Sequence, residues 1–146
     1  MNTNNRLKDI LIEKVNNSYW WHVPPRDSDA YKKRGKFLAP TYRQAEFYGR
    51  PNMDPEQVKI SNPIFGFSER EILRRLFPLE YKNLELLDDG DYDPDWYTQR
   101  TSLDARMHNQ AKRLGFDSII LLSPTGKKFL EKGLKPHSIE LNLLNV

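Results

Sequence analysis

"FDSIILLS", residues 116–123, is the stretch on which the fold turns. Its apolar residues run together without alternation, the pattern of a strand covered on both faces, so other layers must lie above and below it. Just upstream, Gly115 closes a helical pattern over Ser102 to Leu114, with Leu103, Met107, Ala111 and Leu114 on one side. Downstream, "HSIELNLL", residues 137–144, alternates strictly. That period puts Ile139, Leu141 and Leu143 on one face and leaves Ser138, Glu140 and Asn142 on the other.

Working outward, residues 6–15 read as a short helix with Leu7, Ile10, Leu11 and Val15 on one side. "SYWWHV", residues 18–23, is aromatic and reads as a strand that Pro24-Pro25 ends, because proline cannot donate to a ladder. A polar loop from Arg26 to Arg34 follows. "GKFLAPTYRQAEFYGR", residues 35–50, reads as a strand over Lys36–Ala39, then a capping box of Thr41 with Gln44, then a helix to Tyr48. Gly49 stands where a left-handed cap belongs, and Pro51 prevents continuation. "EQVKISNPI", residues 56–64, reads as a strand ending at Asn62-Pro63. Ser68 with Glu71 makes a second capping box for a helix whose stripe is Ile72, Leu73, Leu76 and Phe77. Strands and helices do not alternate regularly enough for a doubly wound sheet, and no glycine-rich phosphate loop is present. The expectation is one α+β domain over residues 1–146, with residues 1–17 an N-terminal arm and 18–146 the core. Its sheet should be curved and partly split, with helices packed outside.

Composition narrows the chemistry. With no cysteine, disulfides, thiolate catalysis and cysteine-ligated zinc are excluded. The N-terminus has no apolar signal core, and nowhere do about 18 apolar residues run together, so a cytoplasmic protein with no membrane partner is expected. The net charge of +3 is a mild basic bias, interrupted by the acidic "ELLDDGDYDPDW" of residues 85–96. It falls short of the dense stripe of a dedicated nucleic-acid binder.

Three histidines are present, and none has the spacing of a zinc helix, so no metal is expected. His108 reads as a surface residue on the outer side of its helix, and His137 as structural. His22 has two readings: a satisfied histidine of the scaffold, or a ligand contact whose ring nitrogens bond ribose hydroxyls or amides. Glu140 likewise faces either water or a cleft, where low dielectric would sharpen its electrostatics. Arg26, Arg34 and Arg43 flank the aromatic turn and could grip a diphosphate through forked hydrogen bonds.

The order of these pieces resembles the small mono-ADP-ribosyltransferases of bacteria and their phages. Members run through an aromatic–His strand, a "GxFF-S-x-x-x-x-A-x-x-Y" segment, a "v-x-l-x-NP-l" strand, a "lGyDgii" strand and a last strand containing Glu. Here His22, Phe37, Ala45, Tyr48, Asn62-Pro63, Leu114-Gly115-Phe116-Asp117, Ile119-Ile120 and Glu140 fall in that order. The resemblance spans roughly residues 18–144. It implies NAD as substrate, held bent in a split-sheet clamp, with no metal. It implies that His22 bonds ribose hydroxyls and that Phe37 or Tyr48 stacks on nicotinamide; Arg26 and Arg43, read from their place beside the aromatic turn, complete the expected cofactor-binding set. It implies that Glu140 stabilises the charge developing as nicotinamide leaves, with transfer to a protein target or host factor in a bacterial or phage-infected cell. Two other classes fit the residues. One is a non-catalytic protein-binding inhibitor on the same fold, using Tyr92, Trp96 and Tyr97 as anchors. The other is a small basic RNA-binding protein or ribonuclease.

Overall fold

The computed structural model describes residues 3–84, 96–136 and 138–145. Among them, seven helices flank one mixed sheet of six strands in the order β3-β1-β2-β6-β5-β4. The strands are β1 (Tyr19–His22), β2 (Lys36–Ala39), β3 (Glu56–Gln57), β4 (Pro63–Gly66), β5 (Ser118–Leu122) and β6 (Ile139–Leu143). Only β4 and β5 pair in parallel. The α+β class follows. The sheet expected to be partly split runs instead through hydrogen-bonded neighbours from edge to edge. β6 bridges the two halves by pairing with both β2 and β5.

Two apolar layers hold the sheet. On one face, Leu7, Leu11 and Val15 of α1 (Thr3–Asn16) and Leu130 of α7 (Pro124–Glu131) pack on Trp20, Leu38, Ile120, Leu122 and Leu141. On the other, α4 (Glu69–Leu76), α5 (Tyr81–Leu84) and α6 (Trp96–Arg113) bury Ile72, Leu76, Leu84, Leu103 and Met107 against Ile64 and Ile119. Residues 119 and 120 thus feed opposite cores, which is what the uninterrupted apolar run of β5 requires.

Local chemistry explains the helix starts. Thr41 and Ser68 accept hydrogen bonds from the backbone N–H of Gln44 and Glu71, at 3.1 Å in both cases. The first opens α3 (Tyr42–Ala45), which tightens into a 3-10 turn over Glu46–Tyr48. Gly49 does not adopt the expected left-handed cap. At φ 146° and ψ −153° it is extended in the region only glycine favours, and a Cβ there would meet Val23 Cγ1 at 2.9 Å.

Several expectations are corrected. The strand over 56–64 breaks after Gln57, and Pro63 begins β4 instead of ending a strand. The reason is that side chains capture the intervening backbone. Asn16 Oδ1 accepts from Ile60 N–H at 2.8 Å while Asn16 Nδ2 donates to Ile60 O at 2.9 Å, and Asp117 takes Ser61 N–H at 2.7 Å. The polar loop 26–34 contains α2 (Ala30–Arg34), and α7 was not foreseen. Leu114 is exposed, whereas His108, expected at the surface, is 1% exposed, with Nε2 at 3.3 Å from Leu144 O. Asn142 is also buried, not on a polar face, and donates to Arg34 O at 2.9 Å. The acidic stretch up to residue 95, the side chains of Trp96 and Tyr97, and His137 lie outside the described residues.

Because one side chain satisfies both backbone groups of Ile60, Asn16→Ala should lower unfolding stability by about 1–3 kcal/mol. Urea denaturation measures it, and a change within about 0.5 kcal/mol would show the pair to be redundant.

Candidate functional site

An open groove of about 470 Å³ lies at one end of the sheet. Its walls come from the end of β2 at Ala39-Pro40, the end of β5 at Leu121–Ser123, the start of β6 at Ile139-Glu140, the start of α4 at Ser68-Glu69, and Phe47-Tyr48. The volume is in the range of small-molecule sites.

Glu140 supplies its central charge. Alternation along β6 decides where that charge points: Leu141, in register with Leu38 and Ile120, is fully buried in the core under α1 and α7. Glu140, in register with Leu121, therefore projects to the other face. There Tyr48 donates its hydroxyl to Glu140 Oε1 at 2.8 Å. Tyr48 is largely exposed, and its hydroxyl is held by Glu140. Desolvation, then the neighbouring Glu140 carboxylate, push that phenol up to about 12, so it stays a donor at neutral pH.

A second charged assembly stiffens one wall. Arg100 forks onto both oxygens of Glu69 at 2.8 and 2.7 Å and also donates to Asp104 at 2.7 Å. Burial alone would lower the Arg100 pKa, but the hydrogen bonds to Glu69 and Asp104 raise it. Burial pushes the Asp104 carboxyl up, against the pull of Arg100. The fork ties the start of α4 to α6 and orients Glu69 beside the groove.

The other expected site residues are elsewhere. His22 is 4% exposed, with Nδ1 at 2.8 Å from Phe37 O and Nε2 at 2.8 Å from the Tyr31 hydroxyl. A carbonyl can only accept, so Nδ1 carries the proton and Nε2 accepts from Tyr31. His22 is in register with Leu38, which is in register with Leu141, so it shares their face and not that of Glu140. The histidine and the glutamate are not brought together. Phe37 is half-exposed on the Glu140 face, but in register with Asn142, one step of the pleat beyond the groove. Arg26 and Arg43 are exposed and do not line the groove.

Of the expected set, the structure unites Glu140 and Tyr48. It adds Phe47 from the same aromatic turn, together with Glu69 and the Arg100 fork, which sequence reasoning missed. Phe47 was visible as an aromatic beside Tyr48, whereas nothing in the spacing from 69 to 100 announces the fork. No protein-family model, curated protein or solved structure matches the chain.

Burial holds the His22 pKa below its ordinary 6.5, although the Phe37 carbonyl pulls the other way. The unfolded chain therefore takes up a proton that the folded chain resists, and stability falls as pH drops through about 6.5 and below. His22→Gln keeps a donor and an acceptor without titrating, so its stability should decline less steeply between about pH 7.5 and 5. Parallel denaturation profiles for the two proteins would overturn the assignment.

Proposed function

We propose that the groove binds NAD and that the protein is an ADP-ribosyltransferase-like enzyme working through Glu140. The observation that carries this is the Glu140 carboxylate, steadied by Tyr48 and facing a groove walled by exposed aromatic rings. Support comes also from the order of sequence pieces leading to that glutamate.

The chemistry asked of such a site is modest. As nicotinamide leaves, positive charge develops on the ribose carbon, and a fixed carboxylate nearby lowers that barrier without forming a bond. An acceptor on a macromolecular target then takes the ADP-ribose and gives up a proton. Tyr48 keeps the carboxylate oriented, and its ring or that of Phe47 offers a surface for the nicotinamide. Of the two rings the resemblance offered for stacking, Phe37 and Tyr48, this reading uses Tyr48 and adds Phe47. His22 has no part in the groove, so this reading rests on one carboxylate and not on a histidine–glutamate clamp.

The test has two arms. Saturating NAD should raise the melting temperature, since a ligand of the folded state alone must stabilise it. Labelled ADP-ribose should pass from NAD to a lysate component, and Glu140→Gln should cut that transfer by about 100-fold or more while the protein stays folded. Absence of both shift and transfer would defeat the proposal in favour of a non-catalytic binding protein, for which Glu140→Gln should be silent.

A further inference from the structure

Residues 46–50 form a short exposed segment that the fold holds at its two ends and at one point between. Before it, Ala45 is buried. After it, Pro51 is buried and Asn52 N–H donates to His22 O at 2.8 Å. Between these anchors Glu46, Phe47, Tyr48, Gly49 and Arg50 are all exposed, Phe47 at 85% and Tyr48 at 69%. Two large rings turned to solvent bury little surface with which to hold the segment down. Among the described residues, its one side-chain hydrogen bond to the rest of the fold is that of Tyr48 to Glu140 Oε1, across 92 positions of sequence. Gly49, in a backbone conformation that favours glycine, follows Tyr48 directly and gives the turn a point about which to swing.

The same bond occupies an atom that a ligand would need. Tyr48 Oη lies 2.8 Å from Oε1 of the carboxylate that the β6 register aims at the groove. A ligand hydroxyl approaching that oxygen along the same line must take the place of the phenol. The exchange is close to even, one O–H donor on a carboxylate for another. A contact of this kind gives way to a ligand and re-forms when the ligand leaves, which a packed apolar wall would not do.

We propose that residues 46–50 are a strap latched across the groove by Tyr48 and Glu140, and that a ligand carrying a hydroxyl donor, such as the ribose of a nucleotide, enters by displacing the tyrosine from the carboxylate. This regulation rests on Glu140 being the carboxylate that the ligand meets. Phe47 rides on the same strap, so release of the latch moves both rings that line the groove.

Two measurements on the free protein test the latch without NAD. The first is carbodiimide-driven coupling of glycine ethyl ester to carboxylates, read by peptide mass analysis. Glu140 should label about three- to tenfold faster in Tyr48→Phe than in the parent protein, while exposed Glu46 labels equally in both. The second is hydrogen exchange over residues 46–50, which should quicken in Tyr48→Phe and in Glu140→Ala by a similar factor. The double variant should add nothing further, because either change opens the same bond. Unaltered Glu140 labelling together with unaltered strap exchange in Tyr48→Phe would overturn the proposal. With NAD present, Tyr48→Phe should bind about threefold or more tightly, since the latch no longer competes. Weaker binding would overturn the displacement and make Tyr48 a plain ligand contact. If neither protein binds NAD, the NAD reading fails, while faster Glu140 labelling in Tyr48→Phe still establishes the latch.

Discussion

The pairing of β6 between β2 and β5 is the constraint on which the rest depends. Leu141 has no exposed surface and is in register with Leu38 on one side and Ile120 on the other. A one-residue slip would drive Glu140 into that apolar layer and lift Leu141 into the groove, a cost no single hydrogen bond could offset. Burial of one leucine therefore fixes the direction of the neighbouring carboxylate. The same register aligns the ends of β2 and β5 with the start of β6, which together wall the groove, so fold stability and site geometry are set by one ladder.

What was legible in the sequence was what short-range physics controls. The capping residues Thr41 and Ser68 do what their spacing with Gln44 and Glu71 requires. The alternation of β6 and the unbroken run of β5 also map directly onto one or two covered faces. Segments that failed are those whose partners are remote in sequence. Residues 58–61 have strand-like alternation, yet Asn16 and Asp117 hold their backbone. α7 was hidden by Gly126, normally a poor helix former; here it is buried, and a Cβ would stand 3.3 Å from Leu122, so close packing explains it.

The candidate site was half legible. Glu140 could be read because an acidic residue in an otherwise apolar alternating strand must face either solvent or a cleft. That Tyr48 would be its partner could not be read, since the two are joined by the path of a 3-10 turn and not by spacing. The Arg100 fork is a similar case: its two acids lie on different helices, and only their packing shows that one guanidinium serves both.

His22 shows most sharply where sequence context leaves a choice. An imidazole ending an aromatic strand beside two prolines admits both a scaffold reading and a ligand-binding one. The structure spends both of its nitrogens within the scaffold, on the Phe37 carbonyl and the Tyr31 hydroxyl, and removes the ring from solvent. A neutral, two-sided connector suits this position better than a charged one. It ties α2 to β2 across the end of β1, where Pro24 has no N–H to continue the ladder.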